Sequence, residues 1–183
     1  MKKILVLGSA PGAIIPHEIN SYFVIAVNAS IGAFPEIVPD VLLLNGWTLR
    51  GTRGIAPESQ QKLKGRAVKH LIVIDTVPDI SDLIKGSGII YQSLEIWSRQ
   101  KRADVSSYQT GFSYAGATGH DIPSTGLTAL CYALRLSTEV YISGINTRSD
   151  GHSYSDKNFT RGHVETDRKI LAALAGGYKE ISQ

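Results

Sequence analysis

The chain of 183 residues contains a single cysteine, Cys131, and therefore cannot form an intrachain disulfide. Because Cys131 lies inside an apolar helical pattern, we predict a buried thiol, and a lone cysteine fits a reducing cytoplasm. One cysteine also excludes a zinc cluster built on thiolates. The sequence has neither an Asp-x-Asp pair nor a His-Glu-x-x-His segment, so no motif predicts a metal site.

Charge and long apolar runs are also scarce. Charged residues make up 19% of the chain and the formal net charge is +3, without the dense Lys/Arg run that favours nucleic acid. We interpret the tightest basic cluster, Arg99-Gln100-Lys101-Arg102, as the solvated end of a helix. No stretch approaches the roughly 20 apolar residues of a membrane span. Hydrophobic residues still reach 43%, which suits one domain over residues 1–183.

What the chain does contain is a series of short apolar runs, most of which end in small or polar residues. Such runs, rich in Val and Ile, are typical of parallel strands covered on both faces. Helical patterns separate some of them, most clearly at 127–136 and 167–175, whereas 47–61 and 105–122 are weakly patterned. The predicted fold class is α/β, with a mostly parallel, doubly wound sheet and helices on both faces. The predicted strands are Lys3–Leu7, Phe23–Val27, Val41–Leu44, Leu71–Ile74 and Val140–Ile142.

Small and polar residues stand where these strands should end, at the edge where open parallel sheets bind ligands. Gly8-Ser9-Ala10-Pro11-Gly12 follows the first strand, and its amides could cradle a phosphate, although a ligand-free turn suits the same residues. Asn28 and Asn45 follow the next two strands, where each could hold a ribose, phosphate or sugar, or cap its own loop. An amide in place of an acidic residue, and the absence of G-x-G-x-x-G, count against NAD.

The stretch from Pro123 to His163 is the richest in reactive groups. Ser124-Thr125-Gly126 precedes an apolar helix, where a serine acts as N-cap and the helix N-terminus also suits a phosphate or carboxylate. His152, Tyr154 and His163 follow the last predicted strand. Histidine can take a proton from an alcohol near neutral pH, but all three side chains also fit structural roles. A hydrolase built on Ser124 and His163 would lack the Gly-x-Ser-x-Gly elbow.

Taken in order, these motifs resemble those of the bacterial sialyltransferases of glycosyltransferase family 42. The Pro-Ser-Thr-Gly segment is also similar to a motif of the animal sialyltransferases. The resemblance implies a single-domain, Rossmann-like variant of the GT-A fold. It also implies inverting transfer of sialic acid, or a related acidic sugar, from a CMP-activated donor to a glycan hydroxyl, with no metal and no cofactor. The matching segments are Ile4–Pro11, Val27-Asn28, Leu44-Asn45-Gly46, Ser124-Thr125-Gly126, Val140–Ile145, Gly151–Tyr154, Gly162-His163 and Thr166-Asp167.

The resemblance implies a role for each matching residue. His163 would be the general base that deprotonates the acceptor hydroxyl, and Tyr154 would hydrogen-bond the departing phosphate. Arg148 stands where the family has a second tyrosine, and would stabilise the phosphate by its charge. The CMP and the donor sugar would be held by Gly8, Ser9 (where the family has asparagine), Asn28, Asn45, Ser124, Thr125 and Gly126.

The implied partners are the nucleotide-sugar donor and a glycan acceptor, and no nucleic acid. A glycolipid acceptor would add peripheral membrane contact, and association into a homo-oligomer stays open. Because the second tyrosine and the family's acceptor-binding lid are missing, the alternative is a module that binds CMP or a nucleotide-sugar with weak or no transfer.

Overall fold

The computed structural model describes residues 2–51, 56–74, 77–114, 121–145, 147 and 162–181. Its centre is a seven-stranded sheet in the order β5-β4-β3-β2-β1-β6-β7, in which every neighbouring pair is parallel. The strands are β1 (Lys3–Leu7), β2 (Tyr22–Val27), β3 (Val41–Asn45), β4 (Ala67–Ile74), β5 (Ile90–Ile96), β6 (Val140–Ser143) and β7 (Lys179–Glu180).

Helices cover both faces of this sheet. One core cluster joins β-strand residues such as Val6 and Leu43 to α4, α5 and α6, and a second joins residues such as Leu42 and Val73 to α1, α2 and α3. The predicted α/β, Rossmann-like class with a parallel sheet between helices is therefore confirmed. The helices are α1 (Gly46–Arg50), α2 (Ala56–Leu63), α3 (Ile80–Gly86), α4 (Arg99–Thr110), α5 (Thr125–Leu136) and α6 (Val164–Ala173), with 3₁₀ turns at Ile19–Ser21 and Asn28–Gly32.

The sheet has a switch in strand order beside β1. β1 pairs with β2 on one side and with β6 on the other, because the chain runs outward from β2 to β5 before it returns. The connection after β1 packs Ile15 and Ile19 over one face, whereas α6, which follows β6, packs Ile170 against the other. Connections that part to opposite faces leave a crevice at the carboxyl ends of the strands, which is where ligands bind in such sheets.

Helix α5 runs from this carboxyl edge back across the sheet. Its sequence TGLTALCYALRL carries enough apolar residues for Leu127, Leu130 and Cys131 to be completely buried. Ser124 is the N-cap and its hydroxyl accepts the Leu127 N–H at 3.4 Å. Because α5 leads directly into β6, its N-terminus must lie at the carboxyl edge, beside the ends of β1 and β6.

Several elements were not predicted from the sequence: the edge strands β5 and β7, the helices α1, α2 and α3, and most of α4. The structure also corrects the interpretation of the basic cluster. Arg99 and Lys101 are exposed as expected, but Arg102 is only 2% exposed and points into the protein. None of the described helices is long and apolar enough to cross a membrane.

Candidate functional site

The carboxyl ends of β1 and β6 are joined by a backbone seam. The Gly8 N–H donates to the Ser143 carbonyl at 2.8 Å, and the Ala10 N–H donates to the Gly144 carbonyl at 2.9 Å. The Ser143 hydroxyl adds two bonds, accepting the Ile14 N–H at 2.8 Å and donating to the Ile14 carbonyl at 2.7 Å. The ends of β1 and β6 are therefore joined to each other and to the connection after β1 by hydrogen bonds.

Gly8 is a glycine for a packing reason. A Cβ at Gly8 would lie 2.2 Å from the Gly144 carbonyl oxygen and 2.5 Å from Cγ1 of Ile145. Gly144 itself has φ +67 and faces the Gly8 backbone in return. The Gly144 backbone thus already occupies the space that a glycine leaves open at position 8. Ser9, the next residue, is half-buried.

Asn28 and Asn45, predicted to hold a ligand, contact each other. The Asn28 side-chain oxygen accepts the Asn45 N–H at 2.9 Å, and the Asn45 side-chain oxygen caps α1 by accepting the Trp47 N–H at 2.9 Å. Asn28 has φ +49, a left-handed conformation that asparagine tolerates better than most residues. Both side-chain oxygens thus accept hydrogen bonds from the protein backbone. In the described part of the chain, the side-chain NH₂ of Asn28 meets no acceptor.

The N-terminus of α5 presents backbone donors to the same edge. The first N–H groups of a helix have no partner within the helix, and Ser124 satisfies only that of Leu127. The N–H groups of Thr125 and Gly126 meet no acceptor in the described ranges. Gly126 lies near Ile145, the residue that also packs beside Gly8, so the helix end adjoins the seam.

His163 is positioned from the residues just before α5. Its ring Nδ1 lies 2.9 Å from the Ile122 carbonyl oxygen, and its own carbonyl accepts the Asp167 N–H at 2.8 Å at the start of α6. A carbonyl oxygen can only accept, so Nδ1 donates, and the lone pair of the neutral ring is on Nε2. That is the arrangement a general base needs, in a half-buried side chain.

Two residues that the sequence did not single out as functional hold this region together. Arg102 and Asp167 are each 2% exposed and contact the segment 122–124 that supports both His163 and α5. In the sequence, Asp167 stood out in the matching segment Thr166-Asp167 and at a helix start, and Arg102 stood out as part of a basic cluster. Neither signal indicates burial.

The other predicted groups fall into two classes. Arg148 and Tyr154, and also His152, lie outside the described residues. Cys131 is buried as predicted, and burial raises the pKa of its thiol to about 12, so it stays protonated and is no nucleophile. Within the described ranges, no group of three or more His, Cys, Asp or Glu side chains could hold a metal ion.

The fold and this edge define an α/β protein with a doubly wound, all-parallel sheet and polar groups gathered at the carboxyl ends of its central strands. The chain matches no protein-family model, no curated protein and no solved structure.

Proposed function

We propose that the protein is a metal-independent, inverting glycosyltransferase that transfers sialic acid, or a related acidic sugar, from a CMP-activated donor to a glycan hydroxyl. The observation that carries the proposal is the bond from His163 Nδ1 to the Ile122 carbonyl, two residues before the N-cap of α5. This bond holds the His163 ring against the segment that leads into α5, at the edge of the sheet where ligands bind in such folds.

In the proposed reaction His163 Nε2 accepts the proton of the acceptor hydroxyl. The acceptor oxygen forms its bond to the anomeric carbon as the bond from that carbon to the CMP phosphate breaks, which inverts the configuration. CMP leaves as the anion. The Thr125 and Gly126 N–H groups favour negative charge there, as does the positive end of the α5 dipole.

The remaining roles rest on the sequence resemblance. Tyr154 hydrogen-bonds the departing phosphate and Arg148 stabilises its charge, while Gly8, Ser9, Asn28 and Asn45 face the nucleotide. For Asn28 the available group is the side-chain NH₂, since its oxygen is bonded to the Asn45 N–H. An amide donor of this kind suits a ribose hydroxyl, a carboxylate or a pyrimidine carbonyl.

A thermal-shift panel of CMP, UMP, GDP, NAD and ATP tests the ligand class. We expect CMP to raise the melting temperature selectively, because a ligand that binds only the folded state stabilises it. A preference for NAD, or equal responses to all five compounds, would contradict the proposal.

The base assignment is tested by His163→Ala in an assay for transfer or hydrolysis of CMP-sialic acid. We expect a loss of about 10²-fold or more, the range for a general base. His70→Ala is the matched control, because His70 pairs with Val41 at the start of β3, away from the carboxyl edge. Equal rates in the wild type and His163→Ala, or equal losses in both variants, would show that His163 is not the base.

The second candidate is a module that binds CMP or a nucleotide-sugar without transferring it. The feature that favours it is Arg148, which stands where the family has a second tyrosine beside the leaving phosphate. This candidate predicts stabilisation by CMP without release of CMP from CMP-sialic acid over prolonged incubation.

A further inference from the structure

The segment Ile122–Ser124 is held by side chains from two helices, α4 and α6. His163, beside α6, donates to the Ile122 carbonyl, and Arg102 of α4 donates through Nη2 to the Pro123 carbonyl. The Ser124 N–H donates to Oδ1 of Asp167 in α6 at 2.9 Å. Successive backbone groups of one short segment are thus fixed from different directions.

Thr128 connects the arginine to the helix end. Its hydroxyl donates to the Ser124 carbonyl at 2.9 Å and accepts from Nε of Arg102 at 3.2 Å. Arg102 therefore binds the Pro123 carbonyl and the Thr128 hydroxyl at once, which the rigid fork of a guanidinium allows and a lysine ammonium does not. We call Arg102, Thr128 and Asp167 the clamp.

Burying the clamp is costly, which argues that its geometry matters. Arg102 and Asp167 are charged side chains at 2% exposure, and charges are rarely buried so far without partners. Arg102 binds the Pro123 carbonyl and Asp167 binds the Ser124 N–H, so the two opposite charges contact adjacent residues of one segment. Ser124 and Thr128, which belong to the same network, are also buried. A packed apolar junction between α4, α5 and α6 would have sealed the core without fixing Ile122–Ser124.

We propose that Arg102 and Asp167 are positioning residues for the carboxyl-edge site. By fixing Ile122–Ser124 they hold the carbonyl that sets the His163 tautomer and aim the first N–H groups of α5. Neither side chain touches the substrate. The role in catalysis rests on the proposed function, whereas the effect on the His163 ring can be measured without any ligand.

The first measurement is the tautomer of His163, read from long-range ¹H–¹⁵N correlation spectra with the signals assigned through His163→Gln. The wild type should show mainly the Nδ1–H form. Arg102→Lys keeps the charge but loses the fork, and Thr128→Val keeps the shape but loses the hydroxyl. Both should shift the ring to a mixture with substantial Nε2–H form.

Thr110→Val is the matched control for Thr128→Val. The Thr110 hydroxyl donates to the Ser106 carbonyl at 2.9 Å, the same bond to the residue four positions earlier, but it does not contact Arg102. We expect its His163 spectrum to equal that of the wild type. An unchanged spectrum in folded Thr128→Val would overturn the proposal, and this milder variant decides the question if Arg102→Lys does not fold.

The second measurement is CMP affinity by calorimetry. Loss of a bond from a charged group should weaken CMP binding about tenfold or more in Arg102→Lys, with no change in Thr110→Val. If the wild type binds no CMP, the proposed function fails while the tautomer result still judges the clamp. If CMP binds the wild type and Arg102→Lys equally well, the proposed function stands and the positioning role is wrong.

Discussion

The close packing of Gly8 at the seam between β1 and β6 predicts that Gly8→Ala destabilises the protein. The new methyl group would meet the Gly144 carbonyl oxygen at 2.2 Å and the Gly144 carbonyl carbon at 2.7 Å, both of them backbone atoms. A clash with backbone cannot be relieved by rotating a side chain. Relief would require the two strand ends to separate, which stretches the bonds from Gly8 to Ser143 and from Ala10 to Gly144.

The expected loss can be estimated from this geometry. Overpacking a well-packed site usually costs about 1–3 kcal/mol, and a backbone clash belongs at the upper end of that range. At roughly 2–4 °C per kcal/mol for a chain of this size, a loss of about 3 kcal/mol lowers the melting temperature by about 6–12 °C.

Two further glycine-to-alanine variants distinguish the cost of overpacking from the cost of an unfavourable backbone conformation. Gly12 has φ +80 and no heavy atom within 4 Å of an added Cβ, so Gly12→Ala should cost only about 1 kcal/mol. Gly86 ends α3 with equally open space and ordinary φ, so Gly86→Ala should leave the melting temperature unchanged or raise it slightly. All three variants are compared by calorimetric or fluorescence melting. If Gly8→Ala melts no lower than Gly12→Ala, the packing argument for Gly8 is refuted.

Three other predictions concern the core and a helix cap. Because burial raises the pKa of the Cys131 thiol to about 12, a thiol reagent at mildly alkaline pH should label only the denatured protein, and rapid native labelling would contradict this. Burial also raises the pKa of the Tyr114 phenol. The unfolded chain therefore releases that proton first, and the free energy of unfolding should fall as pH rises above about 10. Urea titrations at several pH values should show that the free energy of unfolding of Tyr114→Phe falls less steeply with pH than that of the wild type. An equally steep fall in both proteins would contradict this prediction. Asn45→Ala removes the cap of α1 and should cost about 1 kcal/mol in urea unfolding, whereas exposed Asn20→Ala should cost nothing measurable; equal losses would refute the capping role.

The central strands were predictable because their pattern is local. The predicted Lys3–Leu7 run is β1, and the predicted ends of β2, β3 and β6 differ from the structure by one residue. Each of these strands is covered on both faces, by helices or by the connection after β1, so nearly every position must be apolar, and a single sequence shows that directly.

The elements that escaped prediction depend on contacts from distant parts of the chain. β5 reads IYQSLEI and is mostly exposed, because it is an edge strand with a neighbour only at β4 among the described strands. α4 reads RQKRADVSSYQT, whose few apolar residues indicate no buried face. Its burial depends on α5, and Arg102 finds its acceptors 21 and 26 residues along the chain.

The same limit applies to the site. The gathering of Gly8, Asn28, Asn45 and Ser124 at one edge follows from strand order and could be anticipated. The structure shows that the Asn28 oxygen accepts the Asn45 N–H and that the Gly144 backbone occupies the space beside Gly8. Both contacts depend on how strand ends meet that lie 17 or more than 130 residues apart in the sequence. Residue types and spacing carry no such information.

The strand order also determines when β1 becomes a central strand during synthesis. β2, β3, β4 and β5 each pair with the preceding strand and can add to the sheet as they leave the ribosome. The other edge of β1 must wait for β6, which begins 133 residues after β1 ends (140 minus 7). At about 5–20 residues per second, that edge is unpaired for roughly 7–27 s, with buried positions such as Leu5 and Val6 incompletely covered. An unpaired strand edge readily joins another chain, so a nascent protein halted before β6 is the form most exposed to aggregation and most in need of a chaperone.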